Sequence, residues 1–599
     1  MLQKSREEIN SGLSYKTLPM QAQYGHTAIV HITCRLGDGR VIDSTHGREP
    51  LYLKIGDGQI IIPELEQALI GMKPGESKTL RIPAEKTKSL YDNQILTITD
   101  SQDLFFDVKL LNILSPRQSA SLEKVQAGLA YQNQGNMNEA IASLRDAVKL
   151  SPELPAPYYV LGSVLQQQGR IDEAIDCYKK ILSISPDHAE THNILGSAYQ
   201  GKGKFDDAVA CYQNAIRYDG NSFMAYNNLG AALRLQGNLD DAVASYQEAL
   251  RIKPDFTAAM NNLGTALRDK GDLDEAISWY RKAIQLNPDF ADAHWNLSFA
   301  LLLAGDYEEG WREYEWVWKL KKPIHRLPHP VWDGADIQGK RILLYAEQGF
   351  GDVFQFVRYA LMVRDRGCEV ILGCQKELKS LLKSIPGVSS VVAFGEALQQ
   401  FDVQCPLPSL PRIFNTTLDS IPCQIPYLHA DIRTVEKWRD KLSLDNSTLN
   451  IGLAWAGSPG HLNDRNRSCP LRLFEPIARI DGLRLFSLQK EIHEMWTGDA
   501  LAKLKLIDYS RDIEDFSDTA GIIMNLDLII SVDTAVAHLA GALGKTVWTL
   551  LPFAPDWRWM LNREDSPWYP TMRLFRQPSP GDWASVISKV HDELEKIIA

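Results

Sequence analysis

Seventeen residues, Ile529 to Lys545 (IISVDTAVAHLAGALGK), carry the plainest chemistry in this chain. An apolar run, Leu526–Val532, has the character of a buried parallel strand, and it breaks at Asp533 and Thr534 into small residues suited to open a helix. Such a turn directs unbonded N–H groups and the positive end of a helix dipole at one spot, which suits a phosphate or diphosphate. An ordinary α/β corner with Asp or Thr as N-cap fits the same residues.

The elements that would position this turn begin near Gly339. Short apolar runs at Arg341–Ala346, Glu369–Gly373, Ser390–Phe394, Asn450–Ala456, Leu483–Leu488, Leu526–Val532 and Thr546–Leu551 alternate with helix-length segments. A polar stretch, Ser443–Thr448, divides them into two sets. The pattern predicts two Rossmann-like halves, about 339–442 and 449–599, with ligand at the C-terminal ends of the strands. This is the GT-B architecture, and a two-domain ligand-binding protein has a similar strand count.

Ser531–Leu539 followed by Gly541–Gly544 is similar to the donor-binding motif of bacterial heptosyltransferases. The resemblance implies that Asp533, Thr534, Ala535, His538 and Leu539 hold a nucleotide diphosphate, with Ala535 where the family has glycine. Glu347–Val353 resembles the family's first loop, which implies donor contacts from Gln348 and Gly351 and makes Asp352 the general base. Arg467, three residues before Pro470, matches a basic residue near the donor phosphates. The bare residues also allow an N-cap at Asp352, a solvated loop charge at Arg467 and a packing role for His538. No Asp-x-Asp ends a strand, so a metal-independent reaction without cofactor is expected. Phe553–Trp559 and Ser566–Tyr569 crowd aromatics that could stack on a base or sugar, or anchor the C-terminal helix to the first half.

The middle of the chain is periodic. Gly128, Gly162, Gly196, Gly230, Gly264 and Ser298 are 34 residues apart, and so are Gly135, Gly169, Gly203, Gly237, Gly271 and Gly305. Ala140, Ala174, Ala208, Ala242 and Ala276 keep the same period, and Pro152, Pro186, Pro254 and Pro288 end the second helices. This is the tetratricopeptide repeat (TPR) pattern, and it predicts six repeats over 121–324 stacked into an all-α superhelix with a concave surface. Asn228, Asn262 and Asn296 form a column on three successive first helices, with Gln126, Val160 and Ile194 in the first three repeats. The column resembles the asparagine ladder of eukaryotic O-GlcNAc transferases, which implies a grip on an extended peptide. Amides that satisfy groups in neighbouring repeats fit the same spacing.

Residues 1–115 are rich in short alternating runs. Ala28–Ile32, Asp38–Gly39, Ile42–Ser44, Ile61–Pro63, Gly71–Glu76 and Leu104–Leu111, in that order, resemble an α+β FKBP-type prolyl isomerase domain. The resemblance implies a pocket of Asp43, Ile62, Tyr91 and Phe106. Ile32, Ile42 and Leu65 replace the family's aromatics, so a docking module is expected in place of a foldase.

With 599 residues, three or four domains are expected. Net charge of −11 argues against nucleic acid as main partner, and no apolar run reaches the ~18 residues of a membrane span. Eight scattered cysteines and an N-terminus without an apolar signal core are read as those of a cytoplasmic protein. The sequence is thus read as a glycosyltransferase that moves sugar from a nucleotide sugar to a protein Ser or Thr hydroxyl chosen by the TPR arm. The alternatives are a non-catalytic peptide-binding scaffold with a nucleotide-sugar-sensing domain and, last, a folding helper.

Overall fold

The computed structural model describes residues 21–58, 60, 62–86, 102–320, 327–347, 349–445, 447–458, 460, 463–490 and 503–598. The chain forms two compact units, Met1–Gln236 and Gly237–Ala599.

The first unit opens with antiparallel strands β1 (Thr27–Leu36), β2 (Val41–Ser44), β3 (Leu51–Lys54), β4 (Ser77–Ile82) and β5 (Leu104–Leu114). Their order is β2-β1-β5-β4, with β3 also on β1. Helix Pro63–Leu69 adds Leu65 and Leu69 to a core with Val30, Ile32, Phe106 and Val108. A helix then starts at Pro116, five residues before the expected repeat boundary, because Ser115 and Gln118 form a reciprocal capping box. Helix pairs follow as far as Phe223–Gln236. The first glycine series has a steric cause: a Cβ at Gly162 would lie 2.6 Å from the Tyr178 ring, and one at Gly196 would lie 2.7 Å from Tyr212.

The second unit continues the helical pairs to Val317–Leu320 and then turns to α/β structure. Four parallel strands, β6 (Arg341–Tyr345), β7 (Glu369–Cys374), β8 (Val388–Ala393) and β9 (Val403–Pro406), take the order β8-β7-β6-β9. Five more, β10 (Leu449–Ala454), β11 (Leu483–Ser487), β12 (Leu528–Val532), β13 (Val547–Leu551) and β14 (Met572–Arg576), take the order β11-β10-β12-β13-β14 and are also parallel. Each sheet therefore has a point where its strand order reverses: between β6 and β9 in one, between β10 and β12 in the other. Such switch points open a crevice at the C-terminal strand ends.

Side chains alternate between faces along the second sheet. Leu528, Ile530 and Val532 pack with Val586, Ile587 and Val590 of helix Trp583–Ile598, while Ile529 turns to the other core. That other core is continuous from the last repeat (Tyr307, Trp311) through the first sheet (Ile342, Leu344) to Leu539 and Trp559. Helix Ile432–Leu442, placed with the first half from sequence, packs on helix Phe516–Asn525 of the second. Its Trp438 indole donates to Asp518 at 2.8 Å, and Lys437 pairs with the same carboxylate at 3.0 Å.

Candidate functional site

Helix Phe350–Phe356 follows β6 and helix Ala535–Ala542 follows β12, so each leaves its sheet at a switch-point strand. The two helices meet at their first turns. A Cβ at Gly351 would lie 2.9 Å from the His538 ring and 3.7 Å from the Ala535 Cα, so only glycine allows the approach. Neither helix has a side-chain N-cap hydrogen bond. Thr534 occupies the cap position of the second, but its hydroxyl pairs with Ser531 Oγ at 3.0 Å. Gly349 is the cap of the first, which places Asp352 inside the first helical turn and not at the cap.

The charged groups around this contact form one network. Asp352 accepts from Arg558 Nη2, and Gln355 from Arg558 Nε. Arg558 Nη1 donates to Asp556 at 2.8 Å, and the guanidinium stacks on Trp557 at 4.4 Å. Asp533 lies 3.9 Å from His538 Nε2. Burial raises the Asp533 carboxyl to about 6, with Asp556 adding to the rise and Arg467 and Arg558 opposing it. Burial, then Arg558, Arg358 and Arg467, hold the His538 imidazole well below its usual range, so the ring is neutral. Its Nδ1 lies 2.9 Å from the Tyr569 hydroxyl, and it stacks on Trp559.

Arg467 rests on the backbone of Gly457, just past the end of β10, where a Cβ would come within 2.5 Å of its Nη2. Asp464 lies 3.6 Å away, and the buried Nε has no hydrogen-bond partner. Arg467 is thus no solvated loop charge, whereas its neighbour Arg465 is exposed. Leu539, expected to touch the donor, is wholly buried in the apolar core and backs the turn from behind. Gln348 lies outside the described residues.

The structure adds partners that the sequence reading did not select: Arg558, Asp556, Gln355 and Tyr569. A signal existed, since Asp556 and Arg558 sit within an aromatic run, and charges in such a run are buried and paired. Trp557 packs on Trp311 at 5.1 Å, and Trp568 on Tyr307 at 6.2 Å. These aromatics therefore anchor the β13–β14 loop to the last repeat, in place of the C-terminal helix.

Of the asparagine column, Asn228 Nδ2 donates to Asn193 at 3.0 Å in the first unit, and Asn296 Nδ2 to Asn261 at 2.9 Å in the second. Asn262 is half-buried on helix Thr257–Lys270. Two of the three amides thus tie adjacent repeats through a second column, Asn193, Asn227 and Asn261, one residue earlier and on the same period. In the N-terminal domain Phe106 is buried and Ile62 packs beside the core. Asp43 is exposed and bonded to Arg48 at 3.3 Å, and Tyr91 lies outside the described residues.

Residues 19–111 match the family described as FKBP-type peptidyl-prolyl cis-trans isomerase. FK506-binding protein 2 of Candida glabrata is 36% identical over 110 residues, 18% of this chain and 78% of that protein. Through its N-terminal domain, the chain belongs to the FKBP-type family. Beyond the FKBP-type domain, tetratricopeptide repeat families match 128–169, 153–219, 195–257 and 264–305, and these repeats point to protein–protein interaction. Protein FlbA of Caulobacter vibrioides is 25% identical over 319 residues, 49% of this chain. The chain spans 53% of FlbA, and 66% of the Arabidopsis thaliana isomerase FKBP15-2, to which it is 37% identical over 111 residues. A crystal structure of MamA matches 27% of this chain and 94% of its own, at 28% identity and a TM-score of 0.26. Among the described residues, no helix is long and apolar enough to cross a membrane.

The raised Asp533 carboxyl predicts a pH-dependent stability. The folded state favours its protonated form, so its contribution is fully present below the ordinary carboxylate range and is lost as pH rises through about 6. Asparagine stays uncharged throughout. Asp533→Asn is expected to be more stable than the parent by about 1–3 kcal/mol near neutral pH and to converge with it near pH ~4. Urea unfolding at the two pH values measures this, and an equal difference at both would reject it.

Proposed function

We propose that the α/β part of the second unit is a GT-B-type glycosyltransferase that transfers sugar from a nucleotide sugar to a hydroxyl of a protein chosen by the TPR arm. The observation that carries the reading is the N-terminus of helix Ala535–Ala542, without a side-chain cap at the switch point of its sheet and packed on Gly351 of the Asp352 helix, with Arg467 near enough to act on the charge of Asp533. Free N–H groups and a guanidinium suit a diphosphate. In the reaction, the bond from the anomeric carbon to the phosphate oxygen breaks as the acceptor oxygen bonds to that carbon. Asp352 takes the acceptor proton, and the nucleoside diphosphate leaves toward Arg467 and the Ala535–Ala542 helix. The neutral His538 offers a hydrogen bond without adding a charge. The cation this site offers the diphosphate is the Arg467 guanidinium, and no metal enters the proposed step.

A thermal-shift screen against UDP-, GDP-, ADP-, CMP- and dTDP-sugars tests the reading. A ligand of the folded state raises the melting temperature by mass action, by about 2.7 kcal/mol of stability at a hundredfold excess over Kd. The expected result is a rise with one nucleotide that Arg467→Gln removes. No rise with any would favour a peptide-binding scaffold.

A further inference from the structure

Among the arginines around the site, Arg467 and Arg558 stand in different circumstances. Arg467 has a buried Nε with no hydrogen-bond partner. The fork of Arg558 is committed to the protein: Nη2 to Asp352, Nε to Gln355 and Nη1 to Asp556. Trp557 covers its face at 4.4 Å, and the Phe356 ring lies 5.8 Å away. A guanidinium with its edges and face so used has little left for a phosphate. Its seat is also fixed from outside the two sheets. Asp556 accepts from the Arg558 backbone N–H at 3.1 Å, Trp557 packs on Trp311 of the last repeat, and Met560 lies 3.2 Å from where a Gly305 Cβ would be.

On the glycosyltransferase reading, we propose that Arg558 is a positioning residue: it holds the Asp352 carboxylate aimed at the acceptor, and it acts on transfer only through Asp352. Arg467 serves the diphosphate. The anchoring of the Arg558 loop on Trp311 makes the aim of Asp352 depend on the repeat that carries the acceptor arm.

A residue that works through another gives non-additive kinetics. Arg558→Gln is expected to lower kcat by about tenfold or more while the donor KM stays within about threefold. The double variant with Asp352→Asn is expected to be no slower than Asp352→Asn alone. A donor KM that rises with kcat intact, or losses that multiply, would overturn the proposal. Arg558→Lys keeps the charge but not the fork, and it is expected to fold and to fall between parent and Arg558→Gln. The same cycle read on melting temperature, without donor, tests the pairing by itself. The double variant should depart from the sum of the single shifts by about 2 °C or more. Additive shifts overturn the role of Arg558 alone, whereas absence of turnover in the parent overturns the glycosyltransferase reading and this role with it.

Discussion

On the proposed glycosyltransferase reading, Asp352→Asn is expected to lower the rate of sugar transfer by about 10²–10⁴-fold, the range for removal of a general base, while the donor still binds. The asparagine keeps the size and one acceptor of the aspartate, so Arg558 retains Asp556 and Gln355, and the helix contact at Gly351 is untouched. What is lost is the ability to accept the hydroxyl proton as the anomeric bond breaks. The measurement is the initial rate with the donor found by thermal shift, beside the size of that shift in the variant. A rate within tenfold of the parent would remove Asp352 from proton transfer. An absent donor shift would make it a binding residue instead.

The parts of this molecule that could be read from sequence are those whose cause is local. The repeats were legible because their glycines answer to local causes: Gly162, Gly196 and Gly264 each face a tyrosine ring sixteen residues on, and Gly169, Gly203 and Gly271 take a positive φ at a helix end. The turn at Asp533 was legible because strand, break and helix are contiguous. Strands β9 and β14 were missed for the opposite reason: four residues ending in proline, and a strand with arginine at its second and last positions, have no apolar run to announce them. Parallel pairing with β6 and β13 makes them strands. Arg558 was missed because its partner Asp352 is 206 residues away, and no spacing rule spans that distance. The sequence predicted two halves, and the apolar core runs on from one sheet to the other. Burial of that kind depends on how the sheets meet, and periodicity within a strand carries no trace of it.

That junction rests on Arg358, and its loss is the largest stability effect expected. The residue is 4% exposed. Its Nε donates to the Gln355 carbonyl at 2.8 Å, Nη1 to the Trp568 carbonyl at 2.8 Å and the Pro422 carbonyl at 3.1 Å, and Nη2 to the Tyr427 hydroxyl at 2.8 Å. The guanidinium lies over the Tyr427 and Tyr569 rings at 4.6 and 4.7 Å. One side chain thus joins the Asp352 helix, the connection between the halves and the loop after Ser566. Replacing a buried ion by an apolar group can be neutral when its partners go with it. Here the partners are carbonyls and a hydroxyl that stay behind, and each buried acceptor left bare costs about 1–3 kcal/mol. Arg358→Met, which fills most of the volume, is therefore expected to cost about 3–5 kcal/mol, and Arg358→Ala more, through the cavity it opens. Melting curves should fall by on the order of 10 °C. On the glycosyltransferase reading, transfer should fall in proportion to the fraction unfolded and further in the folded fraction, since Tyr569 beside Arg358 holds His538. A methionine variant within about 1 kcal/mol of the parent would mean that water reaches those acceptors, and that the halves are held together by the apolar core alone.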